Sequence, residues 1–407
     1  MSRTGAKMRP ENFFGVTAIC AMAYFVSYVT RTNLAAIMVA VVESGFAPEA
    51  TVALALSVCS VTYGIGQILN GYISDRTKPQ YVVLFGFALT IAMNLGVGFL
   101  QNARYLVLLW AVNGFAQSCM WPPLVAIMAS NFSKLYYDKA VVWVSWGHAL
   151  GNIAVYLVSP PIIRLWGYRY VFLLSGALGI VMAAAWVVFF SKKPAPQQAV
   201  GSKKERATSE NREKMTGTVL AGMVIVLFAI VMQGALRDGV TNWTPTMISQ
   251  TLPVDTSTAI FSGVLLPVFH MICTKLISGI HSRWLKNELI CAAAVFAVGT
   301  AAALLLAFTM GRGVILSVVL LALLVGCMHA ANYLLVCLMP VRFFRYGKVG
   351  LISGVMNAFA YLGSAISTYG IAVFSESFGW LHTVLLWAGI ALVGGALCLL
   401  GAKNKQI

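Results

Sequence analysis

Acidic side chains are scarce. The 407-residue chain holds 12 Asp and Glu against 28 Lys and Arg, and charged residues of both signs make up only 10% of it. A soluble protein of this length carries roughly a quarter charged residues, so there is too little polar surface to face water all round. The shortage also excludes chemistry. Every Asp and Glu except Asp238 falls at an expected helix end or in a loop, which leaves no mid-helix carboxylate pair to carry protons. The eight cysteines (Cys20, Cys59, Cys119, Cys273, Cys291, Cys327, Cys337 and Cys398) form no CxxC pair and no metal-ligand spacing. They are expected to pack as small apolar residues, and no metal or cofactor is implied. No nucleophile–base pair or phosphate-cradling glycine loop stands in a loop position, so an enzyme is not expected. The first apolar run is too long for the core of a secretion signal and lacks a small-residue cleavage site, so no cleaved signal is expected.

Apolar residues are what the chain has in excess, at 59%. Stretches of about 20 apolar residues suit a bilayer crossing, and there are twelve, near 13–42, 51–73, 81–101, 105–131, 140–163, 168–190, 217–237, 257–280, 288–309, 313–340, 348–374 and 380–401. A Pro inside such a span is tolerated, so the runs are read through Pro122-Pro123 and Pro160-Pro161. The expected fold is an all-α membrane protein of twelve transmembrane helices. An even number of spans puts both termini on one side. With that side cytoplasmic, the inner segments carry 21 basic residues and the outer segments four, Arg104, Arg164, Arg169 and Arg312. That asymmetry follows the positive-inside rule and places the chain in a cell membrane with cytoplasmic termini. The net charge of +16 is then topology, and no nucleic-acid partner is needed.

Residues 191–216 hold ten charged residues together with Pro194, Pro196 and Gly201. Such a segment cannot bury a core, so it reads as a cytoplasmic linker between an N-terminal bundle, 1–190, and a C-terminal bundle, 217–407. The halves echo each other. Arg31 and Arg237 are 206 residues apart, Gly71 and Gly279 are 208 apart, and Ala149-Leu150-Gly151 precedes Tyr361-Leu362-Gly363 by 212. A duplicated six-helix unit is expected to bind cargo at the interface of its halves and to rock one against the other.

Arg31 is the most informative residue. A guanidinium at a helix centre costs at least about 2.5–3.5 kcal/mol. Snorkelling to the outer interface is the plain alternative. Arg237 at the matching place in the second half favours function: two guanidiniums facing one cavity make a forked receptor for a phosphate or carboxylate. Asp238 follows directly, but neighbours on a helix point about 100° apart, so it need not neutralise Arg237. Asp238-Gly239 alternatively marks where the seventh helix ends. His148 is a titratable donor for the site or a packing histidine; His270 and His329 are weaker candidates. Gln67, Gln117 and Asn332 are uncharged donors for a polar cargo tail or for interhelical bonds, and Tyr28, Trp121 and Tyr361 are candidate lining aromatics. The loop Gly71-Tyr72-Ile73-Ser74-Asp75-Arg76 reads as a latch at the cytoplasmic face, in which Gly71 lets helix ends approach while Asp75 and Arg76 make and break charge pairs.

That G-x-x-x-D-R loop resembles the signature of the major facilitator superfamily. Within it the chain resembles the organophosphate:phosphate antiporters, in Tyr28-Val29-Thr30-Arg31-Thr32-Asn33, in Gln117-Ser118-Cys119-Met120-Trp121-Pro122-Pro123, in Arg237 followed by Asn242-Trp243-Thr244-Pro245, and in Tyr361-Leu362-Gly363-Ser364. The resemblance implies secondary active exchange of an organic phosphate for inorganic phosphate by a monomer in lipid. Arg31 and Arg237 would clamp the phosphoryl group, His148 would match the family's helix-five histidine, and Asn33 would join the cargo site. Departures stand at Gln67, where well-known members place lysine, at Val268, where an acid is expected, at Asn242 for Asp, and in Gly279-Ile280-His281-Ser282-Arg283, the altered second signature loop. A carboxylate transporter, a transporter-like anion sensor and a proton-coupled exporter are the competing readings.

Overall fold

Backbone N–H and C=O groups in lipid must find partners within the spanning segment, and the apolar runs accordingly fold as helices. The computed structural model describes residues 11–74, 77–132, 134–191, 217–340, 342 and 349–404. The linker beyond Ser191 and the loop residues Asp75 and Arg76 lie outside the described residues. In chain order the helices are α1 (Glu11–Ala36), α2 (Met38–Glu43), α3 (Glu49–Ser74), α4 (Pro79–Phe99), α5 (Leu106–Ser118), α6 (Trp121–Asn131), α7 (Lys134–Trp166), α8 (Arg169–Ser191), α9 (Gly217–Thr251), α10 (Thr256–Ser262), α11 (Leu265–Arg283), α12 (Glu288–Thr309), α13 (Val314–Asn332) and α14 (Val349–Ala402).

Among the described residues ten helices are long and apolar enough to cross a membrane. Two further crossings arise from local breaks. One span is divided into α5 and α6 at Cys119-Met120, because Pro122 and Pro123 occupy the opening turn of α6, where a missing N–H leaves no bond unmade. The reading straight through that pair is corrected here; Pro160 and Pro161, by contrast, do lie inside the continuous α7. The other break is in α14, which contains two spans that meet at Gly379, whose φ of 78° suits glycine. The first span is also interrupted, at Ile37 between α1 and α2. The span expected to close near residue 237 runs on to Thr251. Gly239 there is a packing position: a Cβ would lie 2.6 Å from the Ser367 hydroxyl oxygen on α14.

Small residues set the closest helix approaches. A Cβ on Gly147 or Gly151 of α7 would come within 2.5 and 2.7 Å of the Ala21 and Phe25 carbonyls on α1. The same device recurs between α9 and α14, where a Cβ on Gly234 would come within 2.0 Å of the Ala360 carbonyl and one on Gly363 within 2.1 Å of the Val231 carbonyl. Each pair joins the helix bearing an arginine to the helix 212 or so residues out of phase with its counterpart. The packing therefore repeats as the sequence does.

Candidate functional site

A cavity of about 1720 Å³ lies between α1, α3 and α7 on one side and α9, α11, α13 and α14 on the other. Towards one end it reaches Thr77, Pro79, Ser278 and Gly354. At the opposite end polar contacts join the two sides. The Thr256 hydroxyl donates to the Glu43 carboxylate, and Gln250 Nε2 donates to Glu49 Oε2 at 3.0 Å; on its own side Gln250 is held by Trp380, whose Nε1 donates to Gln250 Oε1 at 2.7 Å. Deeper in, the hydroxyls of Ser60 and Ser364 lie 3.2 Å apart. The cavity thus reaches one face of the protein and is sealed from the other by contacts between α2–α3 and α9–α10.

Arg31 and Arg237 both line this cavity, and both approach the ring of Tyr361, whose centroid is 5.6 Å from the Arg31 guanidinium carbon and 5.3 Å from that of Arg237. Arg31 also lies over the Tyr63 ring at 4.0 Å and near the Tyr28 ring at 5.5 Å, the cation–π geometry that π faces offer a guanidinium. No carboxylate among the described residues pairs with it. Arg237 is differently placed. Its Nε and Nη2 donate to Asp238 Oδ1 and Oδ2, each at 2.6 Å, and its Nη1 donates to Asn332 Oδ1 at 3.0 Å. Asp238, which by helix geometry need not neutralise Arg237, does pair with it: the Cα–Cβ bonds diverge, but the long arginine side chain curls back to meet the carboxylate.

His148, His270 and His329 come from three separate helices to one wall of the cavity. The rings of His270 and His329 stack at 3.7 Å with 14° between their planes, and His148 is 5.3 Å from His270. His148 also lies 4.1 Å from the Tyr28 ring, and Trp121, Tyr24 and Tyr28 continue the wall, with centroids 5.0 and 5.1 Å apart. Gln67 faces the cavity, and its Nε2 is buried with no hydrogen-bond partner.

Two expected site residues lie elsewhere. Asn33 is fully buried in helix packing, where its Nδ2 donates to Asn94 Oδ1 at 2.7 Å and Ser175 Oγ at 3.2 Å. Gln117 Nε2 donates to the Thr30 and Thr90 hydroxyls, each at 2.9 Å. Both belong to a polar network that ties α1, α4, α5 and α8 together behind the cavity wall. Gly71 falls in the last turn of α3. Tyr63 and Asp238 were not marked as site residues by the sequence. Tyr63 is four residues before Gln67, hence on the same helix face, and that spacing was the available signal.

The Major Facilitator Superfamily model matches residues 20–368. The chain belongs to that superfamily. It is a multi-pass membrane transporter and not an enzyme. Among relatives it is 24% identical to the membrane sensor protein UhpC of Salmonella typhimurium, over 95% of this chain and 90% of that one. It is 22% identical to a probable hexose phosphate transport protein of Chlamydia muridarum, over 88% and 84%. It is 23% identical to the glycerol-3-phosphate transporter of Bacillus subtilis, over 92% and 88%. The fold is that of a bacterial homolog to the human lysosomal transporter Spinster in an inward-facing and unoccupied conformation, at a TM-score of 0.77 and 11% identity over 98% of both chains. The superfamily's transporters of sugar phosphate and glycerol phosphate are thus relatives of this chain at distant identity.

Proposed function

We propose that this transporter exchanges a small organic phosphate for inorganic phosphate by alternating access. The observation that carries the reading is the placement of Arg31 and Arg237 on one cavity, their guanidinium carbons 5.6 and 5.3 Å from the Tyr361 ring centroid. Arg31 has aromatic faces around it and, among the described residues, no carboxylate on it. At an effective dielectric of about 20, opposite unit charges about 4 Å apart attract by about 4 kcal/mol, so an oxyanion is the natural complement. Its planar fork of donors matches two phosphoryl oxygens at once. His148, His270, His329 and the unpartnered Gln67 Nε2 are suited to hold the organic part. The kinship with transporters of hexose phosphate and glycerol-3-phosphate supports the same cargo class.

In this reading the six-helix units 1–190 and 217–407 rock about the site, and the face bearing Thr77, Pro79 and Ser278 is cytoplasmic, as the basic loops require. The Gly71–Arg76 loop gates that face. Counterflow in proteoliposomes preloaded with phosphate tests the proposal. Labelled external phosphate should accumulate with wild-type protein and fail to do so with Arg31→Gln; exchange that survives Arg31→Gln would sink it.

A second reading has its own support. UhpC, similar over nearly the whole chain, is a membrane sensor protein, so the same cavity could bind the anion and signal without net flux. Saturable anion binding with no counterflow in the same preparation would favour that reading.

A further inference from the structure

We infer that Asp238 sets the charge of the cargo, so that the site selects tetrahedral oxyanions carrying one negative charge over those carrying two. The inference rests on the reading of the cavity as an anion site. Its basis is the set of fixed charges deep in the cavity: Arg31, Arg237 and Asp238. Two cations and one anion leave a single positive charge. Asp238 is adjacent to Arg237 in the chain and lines the same cavity, so its negative charge stays in the site whether or not the ion pair holds when cargo arrives. Lys275 lines the same cavity less than one helical turn from Ser278, and so towards the end that Ser278 marks.

The donors divide in the same way. A guanidinium has five N–H groups. Asp238 takes two of those on Arg237, and Asn332 takes a third. Among the described residues no carboxylate occupies the fork of Arg31. A monoanion seated on Arg31 brings the deep site to neutrality. A dianion leaves one uncompensated negative charge in a compartment walled by apolar helices, where unbalanced charge is costly. Without Asp238 the two guanidiniums would balance a dianion instead. A phosphate ester accepted by this site is therefore the singly protonated species.

Sulfate and methanesulfonate share a tetrahedral sulfur–oxygen head and carry two fixed charges and one. Their binding to the purified full chain in detergent is read from thermal stabilisation. Wild-type protein should bind methanesulfonate several-fold more tightly than sulfate. Asp238→Asn should move the affinity ratio towards sulfate by about tenfold or more, and Asp238→Glu should keep the wild-type ratio. Wild-type protein that prefers sulfate overturns the inference even where Asp238→Asn does not fold, and so does a ratio that Asp238→Asn leaves unmoved. Stabilisation lost in Arg31→Gln with the ratio unmoved removes only the role of Asp238. No stabilisation of wild-type protein by either anion removes the anion site itself.

Discussion

Tyr63 and Tyr361 meet edge to face, ring centroids 4.6 Å apart and planes at 60°, and the pair forms the aromatic bed on which Arg31 lies. One ring comes from α3 and the other from α14, so the contact joins the two sides of the cavity directly under the guanidinium. Cation–π contacts contribute from about 0.5 kcal/mol when exposed to about 2 when desolvated. Tyr63→Leu should therefore weaken anion binding by about 2- to 30-fold, whereas Tyr63→Phe, which keeps the π face, should stay within about twofold of wild type. Titration of phosphate against both variants checks this. Equal losses in the two would assign the effect to the hydroxyl instead.

Arg31→Lys separates charge from shape. Lysine keeps the positive charge but replaces the planar fork with a point ammonium. A lost charge-assisted hydrogen bond is worth about 1.5–3 kcal/mol, so the half-saturating phosphate concentration should rise by about tenfold or more. A lysine variant that exchanges at wild-type affinity would show that charge alone suffices.

Gln117→Leu should affect stability and not affinity. Its two interhelical bonds to Thr30 and Thr90 are each worth about 0.6 kcal/mol on average in a membrane, so unfolding in detergent should become easier by about 1 kcal/mol. The anion affinity should change by less than about twofold. A large loss of affinity with unchanged stability would return Gln117 to the cargo site.

The stacked pair His270 and His329 is placed to meet the cargo's organic part and not its charged head. His270→Leu should weaken competition by phosphate esters by about tenfold, the scale of one lost hydrogen bond in a buried site, and leave phosphate self-exchange close to wild type. Parallel competition curves for phosphate and for an ester distinguish the two; equal weakening of both would place His270 at the head.

The polar contacts opposite the cavity mouth must part if the cavity is to open on the other face. Glu43→Cys with Thr256→Cys, in a background freed of native cysteines, should form a disulfide on oxidation. The cross-linked protein should lose counterflow and recover it on reduction. Full counterflow from fully cross-linked protein would remove this contact from the transport cycle.

The linear chain made several features legible, each for a local reason. Apolar runs of membrane length declare helices wherever they occur, because the bilayer permits the backbone little else. Arg31 and Arg237 stand out because a charge in such a run is costly whatever its neighbours are. The sequence separates the spans 348–374 and 380–401 but reads straight through Pro122 and Pro123; only the folded chain shows a broken span at the prolines and a single helix turning at Gly379.

What the sequence determined by itself was therefore the class of protein, the number of crossings and the pair of arginines within apolar runs, all properties of single segments against a lipid background. Tertiary structure alone decided which polar side chains face the cavity. Asn33 and Gln117 sit on apolar helices much as Gln67 does, yet the first two turn towards neighbouring helices and the third turns towards the cavity, because a helix face takes its meaning from whatever packs on it. The grip of Asp238 on Arg237 and the meeting of His270 with His329 were decided in the same way. The first depends on a side-chain conformation and the second on the register of two helices, and neither is written in the order of residues along one segment.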